Sequence, residues 1–170
     1  LADDPQLRRP ALAAIPESAR GIGDLQVRNL GTIGGSLAHS DPASDMSAVL
    51  LALGTTLELR SPDGRRAVTL DEFLIGPFTT ALRTRELITA IVVTVPPRGS
   101  GSAYASIEHP ASGFALAGAA AVVGGDGSLG VAVTGVSGRP VRLPVGVDPL
   151  SAIERIDVFG DRFASEEYRR

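Results

Sequence analysis

The chain has 170 residues and a net charge of −3, with 44% hydrophobic, 21% charged and 4% aromatic residues, a composition that suits one globular domain or two small subdomains with an aliphatic core. The acidic balance, without a basic stripe interleaved with aromatic residues, argues against a nucleic-acid partner. Cysteine is absent and histidine occurs only twice, so we expect no disulfide, no iron–sulfur ligation and no zinc site within this chain.

The first predicted elements are a short helix at residues 11–20, which ends at Gly21, and a glycine-rich turn at residues 31–36 with the sequence GTIGGS. Glycines let the backbone approach a ligand closely, and successive free N–H groups form a concave site for phosphate. The hydroxyls of Thr32 and Ser36 are further donors. On the glycines alone, a tight turn beside packed backbone is an equally good interpretation, because the string matches neither GxGxxG nor GxxxxGK[ST].

A second helix is predicted directly after this turn. Asp41 is suited to cap it, with Pro42 at the first helical position, where its missing N–H costs little. The apolar residues between 46 and 53 fall at helical spacing, and Gly54 stands where a helix commonly ends.

Strands are predicted in the middle of the chain. Residues 55–60 alternate in polarity, a Ser-Pro-Asp-Gly turn follows, and residues 66–70 return as the second strand of a hairpin. The β-branched residues of 87–95 predict a buried strand. The Pro- and Gly-rich segment 96–101 then indicates a boundary between a unit of residues 1–97 and a unit of residues 98–170.

Beyond this boundary, residues 103–108, 114–123 and 129–136 are candidate strands, and residues 165–168 predict a terminal helix. The alanine-rich segment 114–123 suits a helix equally well by propensity. It is also the richest apolar run, and it falls short of the roughly 20 residues that a membrane-spanning helix needs. The N-terminal sequence lacks the features of a secretory signal, so we predict a cytoplasmic protein.

Two stretches together carry a family resemblance. The pattern RN-x-GTIGGS-x-AH-x-DPA-x-D at residues 28–45 and the segment LDEFLIGPFTTALRTRELITAI at residues 70–91 resemble the FAD-binding medium subunit of the molybdenum hydroxylases. This is the family of xanthine dehydrogenase and aerobic carbon monoxide dehydrogenase. The resemblance implies an α+β fold in which residues 1–97 form the second subdomain of a two-subdomain FAD-binding fold. Residues 98–170 then form a small three-stranded antiparallel sheet with a helix, which makes 114–123 a strand.

The resemblance also implies cofactor-binding residues. In the family, backbone N–H groups of the glycine-rich turn bind the FAD pyrophosphate, and an acidic and an aliphatic residue contact its flavin side. The residues implied here are Thr32, Ile33, Gly34, Gly35, Ser36, Asp45 and Ile88. Structural alternatives are a favourable charge in the first turn of a helix for Asp45 and a core strand position for Ile88. Asp41 is interpreted as a helix cap, and His39 as a structural residue or a polar neighbour of the flavin.

The resemblance implies no catalytic residue and no metal ligand in this chain, because the family's substrate chemistry takes place at the molybdenum centre of another subunit. The family's first flavin motif, an Ala-Gly-Gly segment, does not occur, so we expect a member truncated at the N-terminus. Members often carry Tyr-x-Lys, whereas here Tyr104 is followed by Ala105 and all 16 basic residues are arginine.

Three functions are compatible with these observations. The first is an electron-transfer subunit whose FAD accepts electrons from 2Fe–2S clusters on a small subunit, in a complex with a large molybdopterin-containing subunit, and passes them to an external acceptor. The second is a non-catalytic interaction module of such a complex that does not hold FAD. The third is a separate binding domain for a small phosphorylated ligand.

Overall fold

Helices occupy most of the first third of the chain in the computed structural model, which describes residues 1–23 and 25–170. Short 3-10 turns at Pro5–Leu7 and Pro10–Leu12 precede the helices α1 (Ala14–Gly21), α2 (Leu25–Leu30), α3 (Ile33–His39) and α4 (Asp45–Ala52). The predicted helix at 11–20 is therefore a 3-10 turn followed by α1. No helix among the described residues has the length and apolar character needed to cross a membrane.

Two helix starts differ from the sequence-based expectation. The GTIGGS string is the capped first turn of α3 rather than a free turn, because the Thr32 side chain accepts the N–H of Gly35. The cap of α4 is Ser44, and Asp41 was wrongly expected in that role. The Asp41 carboxylate instead accepts the N–H of Ala43, in the turn that precedes the helix.

The middle of the chain forms a small antiparallel sheet and a hairpin. The elements are β1 (Thr56–Ser61), β2 (Gly64–Thr69), α5 (Leu70–Phe73), β3 (Leu74–Gly76), β4 (Thr79–Thr80) and β5 (Leu87–Val92). The sheet has the order β2-β1-β5, so β5 is an edge strand and not the buried strand expected at 87–95. The pairing of β5 with β1 shifts register between Glu58 and Leu59, so the alternation of exposure along β5 is interrupted. Ile88 and Ile91 pack against the core, while Leu87 is 70% exposed.

The remainder of the chain forms a second antiparallel sheet and two short helices. The elements are β6 (Gly101–Glu108), β7 (Ala115–Val123), β8 (Leu129–Thr134), β9 (Val141–Arg142), α6 (Pro149–Ile153) and α7 (Glu166–Arg169). The sheet order is β6-β7-β8-β9. The α+β class and the strand interpretation of the alanine-rich segment are confirmed, and β9 adds a two-residue strand to the three that were expected.

Helix α4 is the centre of the main hydrophobic core. Residues 46–52 are all buried, and the helix packs against α1 on one side and against β7 and β8 on the other. Ala120 and Ala132 are fully buried at the contact with the sheet, where their small side chains let the helix approach closely. The main core thus extends from α1 to the C-terminal sheet, and the division at residue 97 stays a prediction about the family's domain plan.

Candidate functional site

The start of α3 presents backbone donors at the surface. The Thr32 hydroxyl oxygen accepts the N–H of Gly35 at 3.0 Å, and the Ser36 N–H donates to the Thr32 carbonyl at 2.9 Å. Within the described part of the chain, the N–H groups of Ile33 and Gly34 have no hydrogen-bond acceptor. Such groups at a helix start form an electropositive site, where negative charge is favoured.

The three positions of this string that hold glycine differ in whether the chain's own contacts require glycine there. A Cβ on Gly31 would lie 2.7 Å from the carbonyl oxygen of Val27, so the chain's own backbone requires glycine there. A Cβ on Gly35 would lie 2.9 Å from the Thr32 hydroxyl oxygen, so the helix cap requires glycine there. A Cβ on Gly34 would meet nothing within 4 Å. Since glycine weakens a helix, Gly34 is the position whose residue type the chain's own packing does not explain.

Ser36 connects this string to the start of α4. Its hydroxyl lies 3.2 Å from the hydroxyl of Ser44, which caps α4 and accepts the Ser47 N–H at 3.4 Å. Asp45 follows Ser44 directly, as the first residue of α4. The structure therefore brings the glycine-rich string and Asp45 to neighbouring helix starts.

Asp45 is half-buried and hydrogen-bonded at one oxygen. Its Oδ1 accepts the hydroxyl of Tyr104, on β6, and Oδ2 has no partner among the residues that the structure describes. Burial raises the pKa of Asp45 from 3.8 to about 6; the Tyr104 bond opposes this rise and the nearby Glu108 carboxylate adds to it. Burial and the adjacent Asp45 carboxylate raise the pKa of Tyr104 well above its usual range, so its hydroxyl stays a donor.

His39 is the last residue of α3, and Ile88 belongs to β5, one of the strands that α3 contacts. Helix α3 packs against β4 and β5, and Ile88 is a half-buried residue of β5 whose side chain packs on the main core. The His39 ring lies against Phe78, with ring centroids 5.0 Å apart. A contact of Ile88 or His39 with a flavin stays a prediction.

Sequence reasoning missed Ser44 and Tyr104. Ser44 stands two positions before the apolar run 46–53 and is a possible cap by residue type, as Asp41 is. Tyr104 is separated from Asp45 by 59 positions, and no local pattern indicates a contact over that distance.

The assembled site has backbone donors at one helix start and a carboxylate at the next. Donors of the first kind suit phosphate, and a carboxylate is an acceptor for ribose or ribityl hydroxyls. Among the described residues, no three His, Asp or Glu side chains are grouped to hold a metal ion. The backbone donors and the carboxylate together suit the recognition of a phosphorylated polyol or nucleotide.

Comparison with known proteins gives matches over most of the chain. A family model described as the FAD binding domain in molybdopterin dehydrogenase matches residues 2–96. The carbon monoxide dehydrogenase medium chain of Afipia carboxidovorans is 37% identical over 134 residues, which cover 76% of this chain and 46% of that protein. The glyceraldehyde dehydrogenase medium chain of Sulfolobus acidocaldarius is 42% identical over 129 residues, which cover 74% of this chain and 46% of that protein.

Similarity to solved structures extends over nearly the whole chain. The reconstituted CO dehydrogenase from Oligotropha carboxidovorans matches with a TM-score of 0.86 and 32% identity, over 99% of this chain and 65% of the matched one. The chain spans about half the length of the curated relatives it matches, with 46% coverage of both proteins described above. The comparisons thus confirm the fold inferred from the sequence, including its C-terminal sheet.

Proposed function

The chain belongs to the family of FAD-binding domains of molybdopterin dehydrogenases, and from this membership we propose that it holds FAD as part of the medium subunit of a molybdenum hydroxylase. FAD supplies the electron-transfer chemistry when bound, and the protein supplies binding, orientation and electrostatics. The absence of a predicted nucleophile or metal ligand in this chain is compatible with that division of labour.

The open space at Gly34 is the observation that carries the proposal. Gly31 and Gly35 are required by the chain's own contacts, whereas the space beside Gly34 is free and lies at a helix start with unbonded N–H groups. A pyrophosphate needs such close access to backbone donors. In the proposal, Ile33 and Gly34 donate their N–H groups to the pyrophosphate, and the hydroxyls of Thr32 and Ser36 flank it.

The residues proposed for the flavin side are Asp45 and Ile88. The Oδ2 atom of Asp45 accepts a hydroxyl of the cofactor, while its Oδ1 remains bonded to Tyr104. Ile88 is a half-buried aliphatic residue of β5, a strand that α3 contacts. These roles rest on the positions of both residues beside α3 and on the motifs that contain them.

The proposed partners are a large molybdopterin-containing subunit and a small 2Fe–2S subunit. Support comes from the relatives, which are described as medium chains of dehydrogenases. In this proposal FAD held by this chain would supply electron transfer between the 2Fe–2S clusters and an external acceptor, in a cytoplasmic complex whose substrate is oxidised on another subunit. The chain acts as one component of an oxidoreductase.

The substitution Gly34→Ala tests whether the pyrophosphate enters the open space beside Gly34. An added methyl group would occupy the space that a phosphate must enter, so we expect FAD affinity to fall by about tenfold or more, the loss typical of a hydrogen bond to a charged group. Stability should stay the same or rise by up to about 1 kcal/mol, because alanine is the better helix former. The measurements are an FAD titration followed by flavin fluorescence and a thermal unfolding curve.

Gly101→Ala is the matched control. A Cβ on Gly101 also meets nothing within 4 Å, but this residue begins β6, away from the glycine-rich string, so FAD affinity should not change. Equal FAD binding by wild type and Gly34→Ala would contradict the assignment of the pyrophosphate to this helix start. If the wild-type chain retains no FAD after gel filtration, the non-catalytic interaction module becomes the better description.

A further inference from the structure

We propose that Tyr104, on the first strand of the C-terminal sheet, is a positioning residue of the FAD site, because it holds the Asp45 carboxyl in place. This inference rests on the proposed function and deepens it. Tyr104 lies outside residues 2–96, the segment that the family model matches. The inference therefore makes cofactor binding depend on a part of the chain that the FAD-domain match does not include.

Tyr104 is anchored at both its backbone and its hydroxyl. Its N–H donates to Oε2 of Glu17, on α1, at 2.8 Å, and its hydroxyl donates to Oδ1 of Asp45, on α4. The tyrosine thus connects β6 to both α1 and α4. The ring is rigid, and Tyr104 is held at its backbone and at its hydroxyl. The position of the hydroxyl is therefore fixed by α1, α4 and β6 together.

Gly118, a glycine of the neighbouring strand β7, leaves room for the Tyr104 hydroxyl. A Cβ on Gly118, in β7, would overlap the Tyr104 hydroxyl oxygen, and it would lie 3.0 Å from Cγ2 of Thr134. Glycine is unfavourable inside a strand, since it loses conformational freedom and leaves no side chain to pack. Gly118 is thus a structural requirement of the Tyr104–Asp45 contact.

The contact determines what Asp45 can offer to a ligand. With Oδ1 engaged, the carboxyl cannot rotate freely, and Oδ2 remains as the acceptor at the start of α4. Two charged groups face the pair among the described residues, Glu108 near the Asp45 carboxyl and Glu17 at the Tyr104 backbone, and both are acidic. Removing the hydroxyl should leave Asp45 misplaced and less readily ionised.

The test compares Tyr104→Phe with Tyr168→Phe, the corresponding change at the chain's other tyrosine, which is 56% exposed. We expect Tyr104→Phe to weaken FAD binding by about tenfold, as for the loss of a hydrogen bond to a charged group, and Tyr168→Phe to bind FAD like the wild type. FAD titrations between pH 5 and 8 supply a second readout. The pH below which affinity declines should move upward in Tyr104→Phe, because the lost donor favoured the ionised carboxylate.

A structural role alone would lower the unfolding temperature of Tyr104→Phe without moving that pH midpoint. Gly118→Ala keeps the tyrosine but displaces its hydroxyl, so it should reproduce the loss of FAD affinity. An unchanged FAD dissociation constant and an unchanged pH midpoint in Tyr104→Phe would overturn the inference.

A measurement without FAD separates this inference from the proposed function. Urea midpoints are measured for Tyr104→Phe, Asp45→Asn and the double variant of the FAD-free chain, and the two single shifts should not add, because the residues interact directly. Additive shifts would show that the contact is absent and would overturn the inference on their own. Non-additive shifts in a chain that binds no FAD would instead overturn the proposed function, and with it the role of Tyr104 in FAD binding.

Discussion

At the scale of single residues, Asp45 is a carboxyl group whose surroundings oppose its ionisation. It is half-buried, it lies near Glu108, and its one described hydrogen bond comes from Tyr104. A rise of its pKa from 3.8 to about 6 corresponds to a cost of roughly 3 kcal/mol for keeping the carboxylate ionised in the folded chain. Such a cost at a position suited to ligand binding is typical of a functional site.

Asp45→Asn should therefore stabilise the FAD-free chain at neutral pH. Because the folded pKa lies above the unfolded one, the contribution of Asp45 to stability is fully present below about pH 3.8 and is lost as the pH rises through about 6. We expect the variant to be more stable than wild type by about 1–3 kcal/mol at pH 7 and to differ little at pH 4. Urea unfolding at both pH values measures this difference.

A control for this prediction is Asp63→Asn, in the exposed turn between β1 and β2, where the same change should leave stability unaltered at both pH values. If Asp45→Asn were equally stable relative to wild type at pH 4 and pH 7, the raised pKa of Asp45 would be contradicted.

At the scale of elements, the β1–β2 hairpin has two like charges directly opposite each other. Arg60 and Arg65 are cross-strand partners, both are exposed, and neither has an acidic partner within ion-pair distance among the described residues. The neighbouring Arg66 differs, since it bonds Glu86 at 2.8 Å and the carbonyl of Ala81 at 2.6 Å. Arg66 thereby attaches the hairpin to the segment that leads into β5.

Arg65→Glu should stabilise this hairpin. Replacing the repulsion of Arg60 by attraction is expected to gain about 0.2–1 kcal/mol at low salt, with a smaller gain at high salt because exposed charges are screened. Thermal unfolding at two ionic strengths is the measurement. Arg98→Glu, at an exposed loop position, makes the same change in net charge without an opposite arginine and should produce no such gain.

At the scale of the whole molecule, the C-terminal tail is attached by one buried arginine. The Arg169 side chain donates to the carbonyls of Leu116 and Gly135 and to Asp161, the last at 2.6 Å, and its guanidinium lies 4.7 Å from the centre of the Phe159 ring. These contacts hold α7 against the ends of β7 and β8. The buried guanidinium therefore adds charge-assisted hydrogen bonds to the hydrophobic contacts of the second sheet.

Arg169→Ala should lower the stability of the chain substantially. Two carbonyls would lose a charged donor, so we expect a loss of about 2–4 kcal/mol, and hydrogen exchange should increase most in β7 and β8. Arg170→Ala is the adjacent control, because Arg170 is exposed and its side chain makes one described hydrogen bond, to the carbonyl of Ile153 at 3.2 Å. Equal losses in the two variants would contradict the anchoring role of Arg169.

Much of the fold and part of the candidate site could be predicted from local sequence. The β1–β2 hairpin, the alternating strand β8 and the terminal helix after Ser165 follow from turn residues, alternation and caps, which act between close neighbours. The start of α4 was misplaced because Asp41 and Ser44 are both good capping residues, and only packing selects between them. The strand β5 was expected to be buried because a β-branched run is compatible with both central and edge positions.

The sequence by itself determined the family, the α+β class and the glycine-rich string, because these depend on residue types at short and regular spacing. The tertiary structure alone decided which glycine of the GTIGGS string is unexplained by internal contacts, that Asp45 is paired with Tyr104, and that α4 joins both halves of the chain in one core. Those features depend on atoms brought together from positions far apart. Their free energies come from burial and from hydrogen bonds that no local pattern specifies.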